Sequence, residues 1–139
     1  MPVRTRRWDD PVEPGDGLRL LVTRYRPRGL PKEAETWQVW QPNLGPSKAL
    51  HAAAYGKAGL KFNWDDYRRR YLAEMRLQAS LIHEWAERVA AGETITLLCS
   101  SACVRESRCH RLLLRDLMER EAERIIADRS GIMRPPGPG

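Results

Sequence analysis

The sequence predicts a small α/β domain, a mostly parallel sheet flanked by helices, and three observations carry that expectation. Residues 94–99 (TITLLC) form a short, β-branched, apolar run, too hydrophobic for a sheet with one wet face. Residues 18–25 (LRLLVTRY) form a second such run. Helical spacing fills the stretch between these runs and the stretch after the second, the pattern of strands covered by helices.

Taken in order, residues 3–8 alternate loosely and read as a first strand. The cluster Pro11, Pro14, Gly15, Asp16 and Gly17 then marks a turn. After the strand at 18–25, Pro27, Gly29 and Pro31 stop regular structure. Residues 32–46 are ambiguous, because Trp37, Val39 and Trp40 fit either a short extended piece or one face of a helical turn. Pro42, Asn43, Gly45 and Pro46 read as a loop. Ser47 is placed to cap a helix from Lys48 to about Tyr55, which Gly56 and Gly59 would end.

The longest helical signal begins near Asn63, with Asp65 and Asp66 in its first turn. Tyr67, Tyr71, Met75, Ile82, Trp85 and Val89 fall on one face, with a possible break at 76–80 and Gly92 as the terminating residue. A last helix is expected over 108–127, turning Leu113, Leu114, Leu117, Met118 and Ile125 inward. Residues 1–128 are thus one domain, and 129–139 a disordered Pro/Gly-rich tail. Three strands are clear, so the sheet is small or a fourth is hidden.

Composition narrows the function classes. The 139 residues are 42% hydrophobic and 30% charged, a globular balance with no run long enough for a membrane span. No apolar stretch stands near the N-terminus as a leader would require, so the expected compartment is the cytoplasm. Cys99, Cys103 and Cys109 are odd in number and clustered, which argues for thiols rather than a secreted disulfide framework. The net charge of +6 suits an anionic partner such as nucleic acid, with Trp8, Trp37 or Trp40 for stacking. Only four of the 24 basic residues are Lys, however, and that arginine bias can equally be compositional.

The chemistry concentrates in residues 97–111, which leave the C-terminal end of a buried strand and enter a helix, the place where open α/β sheets bind ligands. Ser107 could cap that helix and set Cys109 and His110 in its first turn, where backbone N–H groups favour anions. Arg105, Arg108 and Arg111 would lower the pKa of a thiol there. Four uses of the segment stay open. It could be an anion or phosphate pocket built on Arg111 and His110. It could be a reactive thiolate, with Cys109 or Cys99 as nucleophile and His110 as acid or base. It could be a transition-metal site from Cys99, Cys103, Cys109 and His110, although neighbouring residues on a helix point about 100° apart. Finally, the cysteines could simply be small buried hydrophobes. Cys99 and Arg105 have the spacing of a phosphatase loop, but no glycine stands between Glu93 and Ser130 to let a backbone wrap a phosphate.

Two stretches resemble the YeaO-like family, domain of unknown function 488. One is residues 19–30, an extended run into Arg24 and then Pro27-Arg28-Gly29-Leu30, continued by Pro46-Ser47 with Leu50 and by Tyr67 to Tyr71 with Glu74. The other is Thr96-Leu97-Leu98-Cys99 followed by Cys109-His110-Arg111. The resemblance implies a small α/β fold and brings forward Arg24, Arg28, Ser47, Cys99, Cys109, His110 and Arg111 as site candidates. It implies no particular activity. The chain departs from the family at Thr23 and Arg26, where relatives carry an acidic residue and a Trp, at an early His51, and in a longer loop after Cys99 with Ser101 in place of an acid. Together these readings favour a cytosolic domain that binds a small anionic, phosphate- or nucleotide-like ligand, with Arg24 and Arg28 facing Cys109, His110 and Arg111. Thiolate chemistry and homodimerisation are both compatible with it.

Overall fold

The computed structural model describes residues 3–54, 63–100 and 109–130. Four parallel strands form one sheet: β1 (Val3–Arg7), β2 (Leu18–Leu21), β3 (Val39–Trp40) and β4 (Ile95–Cys99), in the order β1-β4-β2-β3. Four helices accompany them: α1 (Lys48–Ala54), α2 (Trp64–Arg76), α3 (Ala79–Ala90) and α4 (His110–Ser130). The expected mixed α/β fold with a parallel sheet is what the chain adopts.

The last strand in sequence lies inside the sheet, with β1 on one side and β2 on the other, and all five of its residues are buried. That is why TITLLC carries no polar alternation. The hidden fourth strand is β3, two residues long at the edge of the sheet. Two residues are too few to show a period of two, which explains why 32–46 was ambiguous. β2 ends sooner than 18–25 implied. Val22 still donates its N–H to the Leu98 carbonyl at 3.0 Å, but the Thr23 hydroxyl then bonds the Tyr25 carbonyl at 2.7 Å and turns the chain.

The long helical signal is two helices. The N–H groups of Leu77 and Gln78 bond back three residues, to Glu74 and Met75 at 3.0 Å each, tightening the end of α2 before α3 restarts. Asn63 caps α2 through its side chain, which accepts from the Asp66 N–H at 3.0 Å. Gly92, at φ 102°, ends α3 with paired bonds from its own N–H to Val89 and from Glu93 to Arg88, a terminus that calls for a left-handed residue. α4 begins at His110 and runs through Ser130, so Arg129 and Ser130 belong to the helix rather than to the tail. Residues 131–139 lie outside the described residues.

The two faces of the sheet are both covered, but by different partners. Alternate strand residues Val3, Leu20, Val22, Ile95 and Leu97 share one core with residues from all four helices, among them Leu50, Tyr71, Trp85 and Leu114. The opposite parity carries Leu21 and Leu98, packed under Trp37 with Trp8 and Leu30 alongside, all contributed by non-helical segments. The same face buries a charge cluster. Arg19, fully buried, pairs with Asp16 at 2.6 Å and donates to the Asp10 carbonyl at 2.8 Å. Arg4 and Arg6 both lie 3.3 Å from the other Asp16 oxygen. The Thr96 hydroxyl bonds the Asp16 carbonyl at 2.7 Å, tying this cluster to the central strand.

Candidate functional site

Parity places Cys99 on the helix-covered face, at the end of β4, where α4 begins. Cys109 stands one residue before α4 and His110 opens it. Because Cys109 is not part of the helix, the 100° divergence expected of helical neighbours does not apply. The two adjacent side chains converge instead. The Sγ atoms of Cys109 and Cys99 are 3.1 Å apart, and Nδ1 of His110 lies 3.9 Å from each. All three residues are buried, and the two cysteines are not joined to each other as a disulfide.

The imidazole is oriented from behind. Nε2 of His110 is 2.7 Å from the Val22 carbonyl oxygen, so Nε2 must carry the proton and donate it. In the neutral ring Nδ1 is then left with its lone pair directed toward the two sulfurs. Val22 supplies that carbonyl because it follows β2, the strand beside β4. The Tyr71 ring packs against His110 with centroids 5.4 Å apart, and its hydroxyl donates to the Leu44 carbonyl at 2.7 Å. Burial, joined by the neighbouring Tyr67, Cys109, Cys99 and Glu74, pushes the Tyr71 phenol well above its usual range. Tyr71 is therefore a protonated wall of the site and a hydrogen-bond donor, not a base.

The remaining candidates separate. Ser47 caps α1 as expected, accepting from the Leu50 N–H at 3.2 Å, but it is also held by Glu74, whose carboxylate accepts from the Ser47 N–H at 2.8 Å and its hydroxyl at 2.5 Å. Arg24 donates Nε to the Pro46 carbonyl at 2.8 Å and so clamps the loop before Ser47. Gly45 lets the loop lie against the chain that follows β2, since a Cβ there would sit 2.5 Å from the Arg24 backbone nitrogen. Arg28 is exposed on the turn after β2. Arg111 is buried in the first turn of α4, two residues after Cys109. Cys103, Arg105, Ser107 and Arg108 lie outside the described residues.

Arg26, standing where the resemblance led one to expect a Trp, bonds Glu35 at 2.7 Å and lies 5.7 Å from the centre of the Trp37 ring. Trp37 is buried and meets Trp8 edge-on at 6.3 Å, so two of the three tryptophans considered for stacking belong to the second core. Trp40 is partly exposed, with its indole N–H donated to the Thr23 carbonyl at 2.8 Å. Tyr71 and Glu74 are the residues that sequence reasoning undervalued. A tyrosine at a fully buried helical position was itself a signal, because its hydroxyl needs a partner.

Fold and site together define a parallel α/β domain with two thiols and an imidazole gathered at the C-terminal end of its central strand. The chain belongs to the DUF488 family: it matches the family model described as "DUF488-N3a: Active DUF488-N3 subclade" over residues 3–122. It is 31% identical to the uncharacterised protein YeaO of Escherichia coli over 116 residues, which is 84% of this chain and 96% of that one. It is also 30% identical to an uncharacterised protein of Mycobacterium tuberculosis over 79 residues, 57% of this chain and 64% of that relative. No solved structure matches the chain.

Proposed function

We propose that the strand-end cluster is a thiol–imidazole centre acting on a small anionic molecule, with Cys109 or Cys99 as the nucleophile and His110 as its base. One observation carries this reading: the Val22 carbonyl fixes the His110 tautomer, so that a basic nitrogen faces two thiols 3.9 Å away. Such an arrangement can take a proton from either sulfur and stabilise the thiolate as an imidazolium pair. Arg111 and the first turn of α4 favour negative charge in the partner, and burial of the sulfurs restricts that partner to a small molecule. The description of the matched subclade as active agrees with a chemical role. A cytoplasmic setting suits thiols kept reduced at this separation.

Nucleic-acid binding has less support. Many described arginines are paired with carboxylates, including Arg4, Arg6, Arg88 and Arg124, and Trp8 and Trp37 are packed against each other. Arg24 and Arg28 support the anion reading less than Arg111 does, since one clamps a loop and the other points from an exposed turn.

The test is alkylation of the chelator-treated protein, read cysteine by cysteine by mass spectrometry across pH. Cys99 or Cys109 should react well below pH 8, and His110→Gln should move that reaction to ordinary thiol behaviour. Inorganic phosphate or pyrophosphate should protect the thiol in the wild type and not in Arg111→Ala. An ordinary pH profile for every cysteine would end the thiolate reading, and absence of protection would end the anionic one.

A further inference from the structure

Two thiols and an imidazole whose donor atoms all lie within 4.8 Å of one another also form the ligand set of a soft divalent cation. We propose that Cys99, Cys109 and His110 bind one thiophilic transition-metal ion, zinc being the reference case, through Sγ, Sγ and Nδ1. The inference rests on the reading of this cluster as a chemical centre and describes its metal-loaded state, in which Nδ1 and the two sulfurs hold the ion instead of exchanging a proton.

Geometry is the first argument. Zinc holds sulfur at about 2.3 Å and nitrogen at about 2.0–2.1 Å, so ligand atoms around a tetrahedral ion stand roughly 3.4–3.8 Å apart. The three separations here are 3.1, 3.9 and 3.9 Å. Opening the sulfur pair by about 0.7 Å and drawing in the ring by about 0.4 Å would bring all three donors to tetrahedral distances.

The outer shell is the second argument. A metal-binding histidine gives its other N–H to a carbonyl or carboxylate, which fixes the ring and makes the ligating nitrogen more basic. The bond from Nε2 of His110 to the Val22 carbonyl at 2.7 Å is that contact, and it leaves the correct nitrogen facing the thiols. The Tyr71 ring, 5.4 Å away, restrains the imidazole from the side. Topology is the third. The ligands come from the end of the central strand, from Cys109 just before α4 and from the first residue of α4, and the orienting carbonyl from Val22, just after the neighbouring strand.

Three ligands among the described residues leave a fourth position on a tetrahedral ion. Where such a position is open to a small molecule, a bound anion coordinates the ion directly, which fits the anionic partner proposed above. On binding, each thiol loses its proton to solvent and the neutral imidazole loses none, so loading by one Zn(II) releases up to two protons and involves no redox change.

The experiment loads chelator-stripped protein with Zn(II) or Co(II) alone. Wild type should take one ion per chain, and the cobalt form should show a thiolate-to-cobalt charge-transfer band. Cys99→Ser, Cys109→Ser and His110→Gln should each weaken affinity by at least about a hundredfold, more than the loss typical of an orienting contact. Should a variant fail to fold, the wild type still decides the matter: zinc should shield two thiols from a colorimetric disulfide reagent, and chelator should expose them. Failure to retain either ion, absence of the cobalt band, or binding unchanged in Cys99→Ser and Cys109→Ser would overturn the metal site. If the metal fails while Cys99 or Cys109 still alkylates at low pH under the control of His110, this inference falls alone and the thiolate reading stands.

Discussion

Two polar clusters lie on opposite faces of the same sheet, and their compositions assign them different work. The Asp16 and Arg19 cluster, on the face that carries Leu21 and Leu98, matches charge to charge: a buried guanidinium on a buried carboxylate, with Arg4 and Arg6 near the carboxylate's second oxygen. The Cys99, Cys109 and His110 cluster instead brings together two thiols and an imidazole, side chains that can bind a soft metal. A compensated ion pair organises a fold. The two thiols and the imidazole held by one backbone carbonyl are the groups on which the proposed chemistry rests.

The contrast can be broken by mutation, and the largest effect should come from the charge cluster. Asp16→Ala leaves the Arg19 guanidinium buried without its carboxylate, and should cost about 3–5 kcal/mol in urea unfolding. Cys99→Ser should cost less than half of that while abolishing chemistry or metal binding. Equal stability losses would remove the distinction between the two clusters.

Acid sharpens it further. Burial alone would raise the Asp16 carboxyl, but the Glu13 N–H and the Arg19 guanidinium outweigh it and hold the group below its usual value of 3.8. A lowered folded-state pKa means that this stability is present above the unfolded value and is lost as pH falls through the folded one. Melting temperature against pH should therefore fall more steeply below about pH 4 in wild type than in Asp16→Asn.

A smaller effect is expected at the wall of the site. Tyr71→Phe removes the donor to the Leu44 carbonyl inside the core and should cost about 1–2 kcal/mol, with the imidazole less restrained. The smallest should be at the strap between α3 and α4. His83 bonds Glu121 at 2.5 Å and Glu87 at 3.0 Å, and Glu121 chiefly raises its pKa above 6.5. Glu121 is itself held at about 2, first by Arg124, against burial, and then by His83. A raised histidine pKa gives stability that is complete below pH 6.5 and fades as pH rises through the folded value. His83→Ala should flatten that slope in thermal melts and leave the thiols unaffected.

How much of this was legible follows from what sequence patterns encode. The central strand, the single-faced helices, the Ser47 cap and the Gly92 terminus all announced themselves, because burial, capping and left-handed turns each demand particular residues. Cys99, Cys109 and His110 were legible as candidates but not as a cluster. Their convergence depends on α4 starting at His110 rather than at Arg108, a shift of two residues that no propensity resolves. The second core was hidden because Trp8, Leu30 and Trp37 reach it from turns and irregular segments, whose two tryptophans carry no period. Arg19, at an inward position of an apolar strand, was the overlooked sign of that face: a charge there requires a buried partner.

The account depends most on which nitrogen of His110 faces the sulfurs, and long-range proton–nitrogen NMR of the imidazole ring across pH reads this directly. Nε2 should stay protonated throughout, held by the Val22 carbonyl, while Nδ1 alone gains and loses a proton or shifts on binding zinc. An unprotonated Nε2, with the proton resident on Nδ1, would mean that no lone pair meets Cys99 and Cys109, and would contradict the thiolate and metal readings together.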